Sequence, residues 1–280
     1  MYIAIDLGGS KTRVASSKDL KSIHKIERFE TQRDLQKEKD LIVDAVGKSV
    51  GKEEVDYICI GVPGLVDKPR KRFKNIVNYP QLSDLPFGAL LGVDFHSENI
   101  VAENDASLAG LAESERGEAA KHKVVAYLTL STGVGGVRIE SKKIGEFQSN
   151  SEPGHMIIVE NGRYDDVCGQ RGCLHSYLSG VSFKQIYGQD PEKAISKDIW
   201  NEYGSHLATG IINIIAMWNP EIIVLGGGIS QKFDQFSPAM YEDLNLQNLF
   251  EVPKIAVSKL GDENGVLGGF DLIRQTISKS

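Results

Sequence analysis

Met1–Ser17, MYIAIDLGGSKTRVASS, runs an apolar strand into a glycine pair and resumes as a second strand, and Val124–Glu140, VVAYLTLSTGVGGVRIE, repeats that layout. The repetition suggests an internal duplication of a strand–turn–strand unit. Around the first copy, IHKIERF reads as a third strand by alternation. QKEKDLIVDAVGKSV reads as a helix with Leu41, Ile42, Ala45 and Val46 on one face, and DYICIGVPG as a buried strand ending in a Pro-Gly turn. Asp67 to Pro86 has little periodicity and reads as a connection; NIVAEN is a strand and Asp105 to Gly117 a helix. Further on come a long helix from about Ala194 to Trp218, stopped by Asn219-Pro220, then a strand EIIVLGGG and a terminal helix after Gly265. Strands and helices alternate throughout, which makes the fold class α/β.

At 280 residues the chain suits two modest domains or one large one. Its 32 Lys and Arg against 38 Asp and Glu leave a net charge of −6, and its most basic segment, KPRKRFK at Lys68–Lys74, is short and mixed. Nothing there repays contact with many phosphates, so a nucleic-acid partner is not expected. The chain enters its first strand without a charged leader and apolar signal core, and its longest apolar run, around Ile211–Trp218, is well short of the ~20 residues of a membrane span. A soluble cytoplasmic protein with no membrane partner is expected. Three cysteines argue against a disulfide framework and for reduced thiols or metal ligation, with Cys59 an ordinary core residue.

The turn DLGGSKT, Asp6 to Thr12, has what a phosphate-handling hairpin requires. Gly8 and Gly9 let the backbone bring bare N–H groups toward an anion, Ser10, Lys11 and Thr12 add donors and charge, and Asp6 at the strand end can hold a metal-bound water. A plain β-hairpin turn uses Gly-Gly as well. The second copy, STGVGG at Ser131 to Gly136, shifts the balance, because two such turns facing each other across a cleft can grip a polyphosphate. A third cluster, LGGGIS at Leu225 to Ser230, leaves room near the backbone for a flat group such as adenine, or simply makes a tight strand-to-helix connection. ENDASLAGLAE sets Asn104 and Asp105 where a strand ends and a helix begins: Asp105 is either an N-cap or a base that takes a proton from an attacking hydroxyl.

Together these segments, with GVPGLVD at Gly61–Asp67, EPGH at Glu152–His155, CGQRGCLH, NPEIIVLGGGIS and LGDENGVLGG, resemble the ROK family of sugar kinases within the actin-like ATPase superfamily. The resemblance implies two ribonuclease-H-like lobes around an interlobe cleft, with ATP and Mg²⁺ between them and a sugar alongside. The lobes are expected at 1–103 and 104–264, with a helix at about 265–280 packing back on the first. It makes Asp105 the general base and assigns Gly64, Asn104, Glu152, His155 and His175 to the sugar. Asp6, Gly8, Gly9, Ser10, Lys11, Thr12, Thr132, Gly133 and Gly135 go to phosphate and Mg²⁺, and Gly226, Gly227 and Gly228 to adenosine. It also implies a homodimer, and ATP-dependent transfer to a hexose hydroxyl: glucose to glucose 6-phosphate by default, an N-acylhexosamine as the alternative. The family's DNA-binding regulators carry an N-terminal helix-turn-helix for which the start at Tyr2 leaves no room; a catalytically silent sugar-binding protein is a second rival.

Two positions depart from the family's zinc segment. Asp166 stands where a first cysteine is usual and His175 where a glutamate is usual. A His155–Asp166–Cys168–Cys173 zinc site remains chemically possible, because zinc accepts carboxylate oxygen; the alternative is two buried thiols without metal. A redox pair fits least, since the spacing is not Cys-x-x-Cys. His175 offers one donor and one acceptor where a carboxylate offers acceptors only, so sugar preference is open to change. Gln81, in YPQLS, is a candidate replacement for a sugar-binding asparagine.

Overall fold

The structure, a computed structural model, describes residues 1–76, 79–92, 99–145, 151–166, 168–247 and 251–278. The chain divides into two compact units, one of Met1–Glu115, Glu146–Asn150 and Asp262–Ser280, the other of Arg116–Gly145 and Ser151–Gly261.

In the first unit, β1 (Tyr2–Leu7) and β2 (Lys11–Ser17) form the expected hairpin, with Leu7 opposite Thr12, and β3 (Lys25–Glu30) extends it. On the other side β1 pairs in parallel with β4 (Tyr57–Val62), and β4 with β7 (Ile100–Asn104), giving the order β3-β2-β1-β4-β7. One face packs Ile3, Ile5, Val14, Ile58 and Ile60 against α1 (Leu35–Val50). Ile42, Ala45 and Val46 of that helix are buried as expected; Leu41 is not, at 36% exposure, because Glu38 and Ile42 take the inward positions. The other face packs Ala4, Ala15 and Cys59 against Leu108 of α2 (Asp105–Arg116) and Phe270 of α7 (Asn264–Ile277). Small residues permit this approach: a Cβ on Gly269 would meet Ala4 Cβ at 2.9 Å. Asp67–Pro86 is more ordered than expected, since β5 (Gly64–Asp67) and β6 (Arg72–Ile76) form a hairpin whose buried Val66, Phe73 and Ile76 carry the apolar face. Polar residues between those three hide the alternation.

The second unit repeats the plan. β8 (Val124–Leu130), β9 (Val134–Glu140) and β10 (Lys143–Ile144) are antiparallel neighbours, and β11 (Ile222–Gly226) and β12 (Lys254–Val257) add in parallel, in the order β10-β9-β8-β11-β12. Strand by strand this is the order of the first sheet, so the duplication seen in the sequence is a duplication of topology. Short α3 (His175–Leu178) and α4 (Gly180–Tyr187) precede the long α5 (Lys197–Trp218) and α6 (Phe233–Gln247). Tyr203, Leu207, Ile211 and Ile214 of α5 build the core with Leu128, Leu130, Ile223 and Leu225. Asn219 ends α5 in the left-handed conformation at φ 45°, a role that suits asparagine. Among the described residues no helix is long and apolar enough to cross a membrane.

Candidate active site

In the first unit the β1–β2 turn is a tight hairpin tip. Gly8 N–H donates to Lys11 O at 3.1 Å, and a Cβ at Gly8 would sit 2.7 Å from that oxygen. Gly9 has open space where a side chain would stand, and Ser10 and Lys11 are exposed, so an anion can reach the tip. Thr12, expected among the phosphate contacts, instead lies fully buried, its hydroxyl donating to Glu38 Oε1 at 2.5 Å. It holds the tip from beneath. Asp6, 8% exposed at the end of β1, accepts from Arg13 Nη1 at 3.1 Å, and Arg13 also pairs with Asp262 at 3.0 Å. Burial pushes the Asp6 carboxyl upward, and the Arg13 guanidinium pulls part of that shift back. One carboxylate plus the phosphates of a nucleotide is a donor set of the kind Mg²⁺ takes, so Asp6 fits a Mg²⁺-ATP substrate.

β7 ends at Asn104 and α2 begins at Asp105. The cap hydrogen bond belongs to Asn104: its Oδ1 accepts from Ser107 N at 3.0 Å, while its amide donates to Gly64 O at 3.2 Å. Capping therefore does not account for Asp105, whose half-buried carboxylate accepts from the adjacent Ala106 N at 2.8 Å. The Asn104 side chain is thus hydrogen-bonded at both its oxygen and its nitrogen. Gly64 is required where it stands, because at φ 151° a Cβ would fall 1.9 Å from Asn75 O.

In the second unit the β8–β9 turn is Ser131–Gly133, closed by Ser131 N–H to Gly133 O at 3.0 Å. Gly135 lies inside β9, opposite Thr129, and not in the turn. Ser131 and Thr132 line a cavity of about 390 Å³ with Gly180, Val181, Lys184, Pro191, Gly228 and Ile229. The second glycine turn and the glycine cluster after β11 thus meet at one cavity. Gly226 and Gly227 serve packing, since Cβ atoms there would strike Tyr127 Oη at 2.2 Å and Leu130 O at 2.4 Å; Gly228 is the open one. Val181, Lys184, Pro191 and the flanking Asp190, which pairs with Lys184 at 2.9 Å, escaped the sequence reading because they carry no glycine signature.

Glu152 precedes and His155 ends a short 3-10 turn, Pro153–His155, seated on β9: a Cβ on Gly154 would lie 2.0 Å from Val134 O. Burial raises the Glu152 carboxyl to about 7 and lowers His155. Downstream, Ile157 pairs with Cys173 and Tyr164 with Arg171, and Asp165 O accepts from Gly169 N–H at 2.8 Å, so the chain folds back and brings Cys168 to Cys173. Gln81 is exposed in a 3-10 turn over Pro80–Leu82.

The folded-back segment gathers His155, Cys168 and Cys173, with ligand atoms within 4.8 Å of one another. Asp166 is not among them; it is exposed, and the neighbouring Asp165 is the buried carboxylate. Asp165 Oδ2 accepts from His175 Nδ1 at 2.7 Å and faces Cys173 Sγ at 3.6 Å. The three-residue group fits zinc. The sulfurs stand 3.7 Å apart, and two thiolates at about 2.3 Å from a tetrahedral zinc are separated by about that distance. His155 Nδ1 is buried without a hydrogen-bond partner among the described residues, a costly state that a metal bond relieves. Burial pushes the Cys173 thiol up to about 11, which suits neither a reactive redox thiol nor an ionised one unless a cation claims the sulfur.

The model of the ROK family matches residues 2–276, and the chain belongs to that family. N-acetyl-D-glucosamine kinase of Haemophilus influenzae is 31% identical, over 96% of this chain and 97% of the relative. Glucokinase of Thermotoga maritima is 27% identical over 98% of each. Among solved structures, a ROK family glucokinase from Streptomyces griseus in complex with glucose and AMPPNP superposes with a TM-score of 0.82 at 24% identity, covering 98% of this chain and 99% of that one. The α/β, ribonuclease-H-like expectation therefore holds.

Proposed function

We propose that the chain transfers the γ-phosphoryl group of ATP to a hydroxyl of a hexose or an N-acylated hexosamine, glucose and its 6-hydroxyl being the default. The chain is an enzyme of the sugar-kinase class, as full-length kinship with N-acetyl-D-glucosamine kinase and glucokinase supports. The observation that carries the reading is at the start of α2, where Asn104, and not Asp105, performs the capping. In the proposed reaction Asp105 takes the proton of the sugar hydroxyl as its oxygen bonds to phosphorus and the bond to ADP breaks.

Phosphoryl transfer needs mainly positioning and charge neutralisation. The Gly8–Lys11 tip offers backbone donors and the Lys11 ammonium, and the cavity of about 390 Å³ at Thr132 and Gly228, walled by apolar Val181, Pro191 and Ile229 and by polar Lys184, Asp190 and Glu192, has room for adenosine. Bound through Asp6 and the phosphates, Mg²⁺ would neutralise charge developing on the transferred group. Glu152, His155 and His175 are assigned to the sugar hydroxyls. His155, Cys168 and Cys173 would hold a structural zinc that ties the folded-back segment together.

A coupled ADP-release assay across a hexose panel, led by glucose and N-acetyl-D-glucosamine, tests the proposal. Sugar-dependent ADP release with one of them supports it. Sugar binding without ADP release, from ATP, would instead favour the silent sugar-binding reading.

A further inference from the structure

Resting on the phosphoryl-transfer reading, the structure assigns Glu38 as a positioning residue for the Gly8–Lys11 tip, acting through Thr12 and the Thr31–Gln32 segment. Glu38 lies in the first turn of α1 and is fully buried. A buried carboxylate is costly unless each oxygen has a donor, and both do: Oε1 receives the Thr12 hydroxyl at 2.5 Å and Oε2 the Gln32 N–H at 2.7 Å. From there the connection runs outward to the tip. The Thr31 hydroxyl is shared between the Thr12 oxygen at 3.0 Å and the Gly8 carbonyl at 2.9 Å, and Thr31 N–H donates to Ser10 O at 3.1 Å. The Tyr79 hydroxyl closes the far side by donating to Gln32 O.

The tip needs such a support. Two glycines give it large backbone freedom, and its outer face is open, so without restraint the donors would have to be ordered each time an anion arrives. Glu38 places that ordering in the folded protein. α1 supplies the fixed end: Asp34 caps it by accepting from Lys37 N at 2.9 Å, and the positive helix N-terminus favours a carboxylate in the first turn. Thr12 is thus a strut between a buried charge and the tip.

Two pairs of variants separate a strut from ordinary packing. Glu38→Met and Thr12→Val keep bulk and remove the hydrogen bonds; Glu38→Gln and Thr12→Ser keep hydrogen-bonding groups. The strut predicts that Glu38→Met and Thr12→Val each raise the KM for ATP about tenfold, with the KM for sugar within about twofold, while Glu38→Gln and Thr12→Ser stay near wild type. Packing alone predicts the reverse at position 12, since valine fills the site and serine leaves a gap, and that pattern would overturn the inference. Backbone amide exchange across Gly8–Lys11 gives a readout that does not require kinase activity. Faster exchange in Glu38→Met and Thr12→Val, but not in Thr12→Ser, supports the strut; unchanged exchange refutes it. Failure of the wild type to consume ATP with any sugar would count against the kinase reading, leaving exchange to decide on Glu38.

Discussion

The Asp165 carboxylate stands 2.7 Å from His175 Nδ1, with both side chains buried. The contact fixes the ring plane and points Nε2 toward the β8–β9 turn, where it lies 3.4 Å from the Cβ position of Gly133. Asp165→Leu removes that contact and frees the ring to rotate. The expected result is a rise of about tenfold in the KM for sugar with the KM for ATP within about twofold, read from steady-state kinetics. Equal effects on both constants would indicate general loosening instead.

Zinc content separates the two neighbouring aspartates. Asp166 is exposed and outside the His155, Cys168 and Cys173 group, so Asp166→Ala is expected to keep about one zinc per chain, whereas Cys173→Ser loses it. Elemental analysis of protein purified without added zinc reads this directly. Loss of metal in Asp166→Ala would restore Asp166 as a ligand.

Glu152 gives a pH signature. Its carboxyl is raised by burial to about 7, against 4.5 in the unfolded chain, so the native state holds a proton that the unfolded chain releases. The corresponding stability is fully present below pH 4.5 and is lost as pH rises through about 7, a change on the order of 2 kcal/mol after allowance for solvent screening. Glu152→Gln should flatten this part of a thermal-midpoint profile between about pH 5 and 8. The carboxylate that can accept sugar hydroxyls accumulates over the same range, so the KM for sugar should fall as pH rises. An unaltered profile in Glu152→Gln would contradict the assignment.

The duplicated strand–turn–strand unit was legible because β1 and β8 each open on an apolar run, Tyr2–Ile5 and Val124–Leu128, and lead into a glycine-bearing turn, and the shared strand order accords with it. The β5–β6 hairpin was not legible, since its three inward residues are separated by charged residues and by Pro69. Thr12 was open to a correct reading: strand alternation puts it on the same inward face as Val14, which the donor chemistry of the motif obscured. Asp165 and Asp166 are chemically identical neighbours in a segment without periodicity, so only the fold distinguishes the buried one. The Asn104 cap was likewise hidden, because Asn and Asp serve that position equally well.

The central claim is that Asp105 is the base and not the cap. Asp105→Asn, compared with wild type for turnover, sugar and nucleotide affinity and thermal midpoint, tests it most directly. Because Asn104 keeps the cap, the account predicts a thermal midpoint and affinities near wild type, with kcat lower by about a hundredfold or more. Near-normal turnover, or a loss of activity accompanied by unfolding, would contradict it.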